Sequence, residues 1–412
     1  MKTKLPTSNV ILLGGTPFCR GVVDLLHRSG IGVVVVDRNE TIALSCELHI
    51  RSDVLDVPYI MSKLKEYQVP KILGAYAAAD ISITTANLLN ASFTGHSVPE
   101  NVLPTITSKH AMIEKWDKAG LLNRKTTAYQ TFENSIVAFN QQYKTIIKPN
   151  NSSSSRGITI LAANAGAQPL RTAFATAQQM GSDGKVLVEE FVEGTELTIE
   201  MLGDNFGNVS VYGISVKYHT ENTINNKIAV KLHYNAVTLS DEELRRIAEY
   251  GIACYRAFGL RNSFGHLEIL RRPDGSLVPV EINSRSAGFV GSPLVDVTSG
   301  RTYVLDYLRV LTGERIPSGL LQTENAAMYF FYDLPAQVTA KVETDIMRHL
   351  DPRIKSLYHN RSRLRAGDRY ELLTCDNDRY GFEVLVGDRH VFKIEELLNA
   401  EKNFLKEFFG QS

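Results

Sequence analysis

Hydrophobic positions along the first hundred residues come in short, nearly unbroken runs. Val10-Ile-Leu-Leu13, Ile31-Gly-Val-Val-Val-Val-Asp37 and Ile72-Leu-Gly-Ala-Tyr76 are of this kind, the mark of strands covered on both faces. Stretches with helical spacing follow two of them: one runs from the Gly14-Gly15-Thr16-Pro17 turn to about Arg28, another from about Asp80 to Leu89. Apolar strands joined by helices predict a parallel, doubly wound sheet.

Beyond residue 105 the pattern mixes. Thr107 or Ser108 caps a helix that carries Met112, Ile113 and Trp116 and stops at Gly120, with Lys109 in its first turn. A cation there is mildly unfavourable unless it is solvated or meets an anion. Thr145–Pro149 reads as a short strand with Lys148 among apolar neighbours, Ile158–Leu161 as another, and residues 168–180 as a helix. Val186–Val192 and Glu196–Glu200 read as strands, the second with its acids on one face. Two or three antiparallel strands are expected between Asn208 and Val237. Ser240 and Glu243 form a capping box for a helix whose Leu244, Ile247, Ala248, Gly251, Tyr255 and Phe258 share one side. A further helix is expected from about Gly300 to Leu311, and from residue 325 short strands lead to a closing helix, Ile394–Phe409. The predicted architecture is α/β and α+β multidomain: residues 1–105 an α/β domain, 106–320 a central domain, and 321–412 a small α+β domain.

The densest chemistry lies in a predicted hairpin. Phe264–Leu270 and Leu277–Arg285 flank Pro273-Asp274-Gly275-Ser276, a strong turn signal. With a period of two, Glu281, Asn283 and Arg285 share one face, and Val280 and Ile282 the other. A four-residue loop sets Leu277 opposite Arg272 and Glu281 opposite Glu268. Like charges directly across a ladder repel. A divalent cation between them reverses the sign, and Mg²⁺ favours one or two carboxylates plus phosphate oxygens. The other reading is a solvated face on which Arg285 neutralises two glutamates. Asn150–Gly157, small and polar between two strands, suits backbone N–H groups wrapped around phosphates with Lys148 at the base, or an ordinary surface loop.

Bulk properties narrow the class. Lys+Arg and Asp+Glu both number 45 in 412 residues, so no broad basic field points to nucleic acid. No apolar run has the length of a membrane span. Cys19, Cys46, Cys254 and Cys375 are scattered without a CxxC pair, as expected of reduced thiols in a cytoplasmic protein. Gly14-Gly15 with Asp37 matches part of a dinucleotide fingerprint, but the full G-x-G-x-x-G is absent, which disfavours NAD.

Six elements in order then carry a resemblance: Lys109 opening a helix; Ile147-Lys148-Pro149; a small-residue loop ending Ser155-Arg156-Gly157; Val188-Glu189-Glu190-Phe191-Val192-Glu193-Gly194-Thr195-Glu196; His266-Leu267-Glu268; and Glu281-Ile282-Asn283-Ser284-Arg285. Over roughly residues 8–315 the chain resembles the ATP-grasp superfamily, in particular its carboxylate–amine ligase branch, which includes relatives of the L-amino acid ligases and biotin carboxylase-like enzymes. The resemblance implies an ATP-grasp fold and ATP bound with Mg²⁺, for which Mn²⁺ can substitute. It implies a lid subdomain at about 125–195, and places Lys109 and Lys148 on the phosphates, and residues 152–157, with Ser154, Ser155, Arg156 and Gly157, in a lid over them. Glu189 falls in the same nucleotide site, the backbone of Glu190 and Val192 at the adenine edge, and Glu196 at the ribose. Glu268, Glu281 and Asn283 become ligands of two Mg²⁺ ions, and Arg285 the catalytic group facing the moving phosphoryl. Partners would be a small carboxylate, an amino acid foremost, and an amine, with a homodimer allowed. Bicarbonate as the carboxylate and a catalytically silent nucleotide-binding regulator stay open. Ser284 stands where the family usually has proline, Ala287-Gly288 where two glycines are common, and the lid is serine-rich. Lys217, His219, Lys231, His233 and Arg261 are candidate substrate neighbours.

Overall fold

The structure, a computed structural model, describes residues 5–134, 143–152, 156–223, 228–287, 291–375 and 378–410. Three sheets organise it. The first is parallel, with β1 (Asn9–Leu13), β2 (Gly32–Asp37), β3 (Leu48–Arg51) and β4 (Ile72–Ala77) in the order β3-β2-β1-β4. Helices α1 (Arg20–Arg28), α2 (Val57–Glu66) and α3 (Ile83–Thr94) connect these strands to one another and onward. The parallel sheet is the one the apolar runs predict; β3 and α2 were not read from sequence. The helix expected from Asp80 begins as a 3₁₀ turn over Asp80–Ser82 before α3. Gly15 N–H donates to Asp37 Oδ2 (2.7 Å), so the acid that a dinucleotide site would turn toward ribose closes its own turn.

Helix α4 (Lys109–Lys118), capped by Ser108 as expected, leads to a second sheet. Strands β5 (Thr126–Tyr129), β6 (Thr145–Pro149), β7 (Thr159–Leu161) and β8 (Val186–Glu190) run in the order β5-β8-β6-β7, with α5 (Ala167–Met180) packed through Leu170, Ala173, Phe174 and Ala177 on Ile147 and Val186.

The third sheet holds nine strands: β9 (Thr195–Gly203), β10 (Val209–His219), β11 (Ala229–Tyr234), β12 (Ser263–Arg271), β13 (Leu277–Asn283), β14 (Gly319–Leu320), β15 (Asn325–Phe331), β16 (Lys355–Asn360) and β17 (Phe382–Asp388). Their order is β13-β12-β9-β10-β11-β15-β17-β16, with β14 on β10, so pairing continues across residue 320 into the C-terminal segment. Helix α6 (Asp241–Phe258), opened by the Ser240–Glu243 capping box, covers one face: Leu244, Ile247 and Ala248 pack on Leu197, Ile199, Leu267 and Ile269. Helix α7 (Gly291–Ser299) was not read from sequence, and the helix expected from Gly300 is α8 (Tyr303–Leu311). The last helix, α9 (Ile394–Phe409), spans the predicted residues and buries Leu397, Phe404 and Phe408 against Met328, Phe330 and Leu385. Among the described residues, no helix is long and apolar enough to cross a membrane.

Candidate active site

Alternation on the large sheet assembles the site. Inward residues are Glu196, Thr198 and Glu200 on β9, Lys217 and His219 on β10, Tyr234 on β11, and His266, Glu268 and Leu270 on β12; register pairs Thr198 with Glu268 and Glu200 with His266. Above this floor hangs the second sheet, and between them lies a cavity of about 320 Å³. Its lining includes the apolar residues Ile146, Ile158, Ile160, Phe191, Val192 and Leu270, and also Asp80, Arg285, Leu294, Tyr329, Phe331 and Arg379.

The hairpin register brings Glu268 opposite Glu281, as the turn and alternation predicted. Two details differ. Leu277 lies opposite Arg271, not Arg272, because Arg272 closes a tighter loop: its N–H donates to Ser276 O (2.9 Å), and Gly275 takes the left-handed backbone (φ 84) this requires. Val280, expected on the face away from Glu281, lines the same cavity. Between the Glu268–Glu281 and Ile269–Pro279 pairs one residue is extra, a bulge that turns two consecutive side chains to one side. Pro279, which has no N–H to give the ladder, sits at this irregularity.

The predicted residues fall as follows. Lys109 is buried; its ammonium donates to Ser152 O (2.8 Å) and lies 3.1 Å from Glu281, so the anion it meets is a protein carboxylate. Lys148 and Arg124 meet on Glu189 at 2.9 and 3.2 Å. Burial pushes the Lys148 ammonium below its usual value. Burial would raise Glu189, but Arg124 and Lys148 outweigh it and hold the carboxyl low. The Glu190 N–H donates to Lys125 O (3.0 Å) and the Phe191 N–H to Lys144 O (2.9 Å), which fixes the chain entering Val192. Arg156 lines the cavity, and its carbonyl accepts from the Ser152 hydroxyl (3.3 Å). Gly157 lies outside the lining, at φ +75, where a Cβ would meet Met180 at 2.8 Å. Ser154 and Ser155 fall outside the described residues. Asn283 Nδ2 donates to Glu281 Oε1 (3.1 Å). Arg285 donates through Nε to Asp80 and through Nη1 to Ser286 O (2.9 Å). Burial opposes the guanidinium's charge, yet Asp80 raises its pKa, and Arg285 in turn keeps the buried Asp80 carboxyl below its usual range.

Lys217 and His219, candidate substrate neighbours by sequence, meet the acids of the site, whereas Arg124, Glu200 and Tyr234 were missed. Lys217 lies between Glu196 (2.6 Å) and Glu268 (2.7 Å), and His219 lies 2.9 Å from Glu196. Burial would lower Lys217, but the two carboxylates raise it, and Glu268 is lowered against its own burial. His266 Nδ1 is 2.7 Å from Glu200, and Nε2 is 3.6 Å from Glu268; burial works against its charge, but Glu200 moves its pKa up to about 9. Glu200 also accepts from Tyr234 OH (3.3 Å) and Ala287 N–H (3.2 Å). The acid-bearing face of Glu196–Glu200 was the available signal. Lys231 and His233, candidates by composition, fall between the inward positions of β11. They face the C-terminal core instead: Lys231 pairs with Glu401 (2.6 Å), and His233 packs on Phe392 at 5.2 Å. Arg261 is exposed and does not line the cavity.

Among the described residues, no three His, Cys, Asp or Glu side chains converge as a self-sufficient metal site. Two facing carboxylates with an adjacent amide oxygen fit the chemistry of a Mg²⁺ ion that would take its remaining oxygens from phosphates and water.

Comparison with known proteins points to one fold. Residues 141–293 match the ATP-grasp domain family. D-alanine–D-alanine ligase of Cupriavidus metallidurans is 26% identical over 223 residues, 51% of this chain and 63% of that one. The structure of L-amino acid ligase from Bacillus licheniformis superposes with a TM-score of 0.73 at 15% identity, over 99% of this chain and 98% of that one. The biotin carboxylase domain of Hydrogenobacter thermophilus 2-oxoglutarate carboxylase, in complex with MgADP and bicarbonate, gives 0.68 at 15% identity, over 94% and 87%. Residues 141–293 thus carry the likeness to the ATP-grasp domain, and the chain has the ATP-grasp fold. The segment shared with the curated D-alanine–D-alanine ligase spans 63% of that enzyme's length.

Proposed function

We propose that the protein is an ATP-dependent ligase that joins a small carboxylate, in the first place that of an amino acid, to an amine through an acyl phosphate. The observation that supports this most is the Glu268–Glu281 pair across the hairpin, with Asn283, Lys109, Lys217 and Arg285 around one cavity. A carboxylate is a poor electrophile, and a phosphoryl group from ATP turns one of its oxygens into a leaving group. Such transfer needs alignment and charge neutralisation more than covalent help.

In this reading adenine enters between the apolar edge of the second sheet and Leu270 and Val280, meeting the Glu190 carbonyl and Val192 N–H. Glu196 takes the ribose, and Lys109 and Lys148 the phosphates. Glu268, Glu281 and Asn283 would hold Mg²⁺, which when bound neutralises phosphate charge. Lys109 and Lys217, which neutralise Glu281 and Glu268 in this structure, turn to phosphate oxygens when these carboxylates take metal. Residues 150–157 cover the phosphates and keep water from the acyl phosphate. Arg285 faces the moving phosphoryl. The L-amino acid ligase and D-alanine–D-alanine ligase likenesses favour an amino acid as the carboxylate.

The test is ATP-dependent phosphate release screened over amino acids, singly and in pairs, with bicarbonate as a separate arm. Release stimulated by an amino acid and completed by an amine supports the reading. Stimulation by bicarbonate alone replaces it with carboxylase chemistry, and no stimulation by any carboxylate sinks it. Glu281→Gln should abolish turnover while the fold is kept, since a charged ligand is lost from a cavity wall; normal turnover at ordinary Mg²⁺ would remove the metal assignment.

A further inference from the structure

A second cavity, of about 300 Å³, lies behind α7. At about 100° per residue, Ser292 and Asp296 share one side of that helix and Leu294 points the opposite way. Leu294 lines the candidate active site, whereas Ser292, Pro293 and Asp296 line the second cavity. Its other walls are α1, through Gly21, Leu25 and Arg28, and β16, through Leu357 and Tyr358. The three elements meet at Gly21, where a Cβ would lie 3.1 Å from Pro293 and 3.6 Å from the Tyr358 hydroxyl. Two polar groups on this side of α7 are incompletely engaged. Ser292 is buried, and its hydroxyl has no partner among the described residues. Asp296 accepts the Tyr303 N–H at Oδ1 (2.8 Å), and among the described residues nothing bonds to Oδ2. Burial moves the Asp296 pKa up to about 7, and Asp306 adds like charge. Arg301 and Arg309, the nearest cations along the chain, both pair with Asp306 instead.

We propose that this cavity is a second small-molecule site, and that it takes a zwitterion: an ammonium group and a carboxylate joined through an apolar body, as in an amino acid or a dipeptide with free ends. This site needs nothing from the ligase reading, because it lies on the far side of α7. A carboxylate withdrawn from water is costly until a cation joins it, and a ligand ammonium brings charge and N–H donors together. The Ser292 hydroxyl can accept a further N–H of the same group. Leu25, Pro293 and Leu357 supply hydrocarbon beside it, and Leu357 is 44% exposed, so an apolar body covers surface that water otherwise wets. Arg28, exposed at the end of α1 and without an ion pair among the described residues, completes the lining as the partner of a carboxylate. An acid, an apolar wall and a guanidinium around one cavity disfavour a phosphate, which Asp296 repels, and a bare amine, which Arg28 repels. The volume is that of small-molecule pockets in general.

The experiment is calorimetric titration of the full chain, without nucleotide, with L-leucine, L-leucyl-L-leucine, isopentylamine and 4-methylpentanoate. The last two each lack one of the charges. One of the zwitterions should bind at least about tenfold more tightly than either of them, the loss expected for hydrogen bonds to a charged group, and which zwitterion it is gives the spacing of the two charges. Asp296→Asn keeps an oxygen for the Tyr303 N–H and removes the charge, so it should weaken that zwitterion about ten- to a hundredfold. Arg28→Gln, a change at an exposed position, should weaken the zwitterion and leave the poorer binding of isopentylamine as it was. Both variants should bind Mg·ATP like the wild type, which shows that the cavity on the other side of α7 is undisturbed, and Arg285→Ala should bind the zwitterion normally. If neither zwitterion binds, if isopentylamine binds as tightly, or if Arg28→Gln and Asp296→Asn keep wild-type affinity, the assignment is wrong. Binding lost in Arg285→Ala but kept in Asp296→Asn would place the ligand in the candidate active site and overturn the second site.

Discussion

Arg285 has little freedom. Its Nε is engaged by Asp80 and its Nη1 by the Ser286 carbonyl, while the side chain lines the cavity. A guanidinium so fixed acts through charge at a set place, and a moving phosphoryl group presents its altered charge only in the transition state. Arg285→Ala is therefore expected to bind ATP nearly as the wild type and to lose on the order of 3 kcal/mol of transition-state stabilisation, about a hundredfold in rate. Lysine, without the planar fork, should restore only part of it. Calorimetric ATP affinity beside steady-state phosphate release decides this: weakened binding with an unchanged maximal rate would make Arg285 a ground-state anchor. His266 carries a different consequence. Its folded pKa, about 9, lies above the ordinary 6.5, so its contribution to stability is fully present below about pH 6.5 and is lost as pH rises through about 9. Urea midpoints compared between wild type and His266→Gln should differ most at the acidic end of that range and converge toward pH 9. A constant gap would mean that the Glu200–His266 contact does not depend on charge.

Elements were legible where their signals are local. The Ser240–Glu243 box and Gly259 bound α6 as read, with Gly259 in the left-handed conformation at its end. Ser240→Ala removes the acceptor for Glu243 N–H and should cost about 1 kcal/mol of stability. ATP affinity should not change, because α6 packs on the face of the sheet opposite the cavity; a fall in affinity would mean that the helix sets the position of β9 and β12. The β12–β13 hairpin was legible in part. Pro273-Asp274-Gly275-Ser276 announces a turn but not how many residues it holds, and nothing in Leu277–Asn283 marks the extra residue near Val280. The two departures cancel at Glu281, which is why the glutamate pair was placed correctly although Leu277 was not. Helix α7 follows residues without helical spacing and had no signal of that kind.

The whole molecule holds what the sequence hides. Parallel apolar strands, a mixed centre and a closing helix can be read from periodicity, but periodicity does not say which strands lie side by side. Glu200 and His266 meet only because β9 pairs with β12, and Lys217 reaches Glu268 only because β10 lies beside β9. The candidate site thus came from the motif-bearing residues, whereas their counter-charges came from topology. Asp80 is the clearest case. It sits past the C-terminal end of β4, where parallel sheets place their ligand-facing loops, and is 205 residues from its partner Arg285. Nearby, Asn90 of α3 donates to Tyr307 OH of α8 (2.8 Å) and Tyr76 of β4 bonds Ser286 just past β13, so the first sheet and its helix are tied to the elements around the site by buried polar contacts. Removing one charge of such a pair leaves the other uncompensated, which costs about 2–3 kcal/mol at this level of burial. Asp80→Asn should therefore melt earlier than the wild type, and the deficit should shrink when Mg·ATP supplies negative charge on the open side of Arg285. Turnover should fall, since an unheld guanidinium is no longer pre-aligned. Thermal melts with and without Mg·ATP, set beside phosphate release at a temperature well below both transitions, separate docking from alignment. A deficit of the same size with nucleotide present would mean that Asp80 and Arg285 only join the two sheets, and Arg285 would lose its claim to face the phosphoryl group.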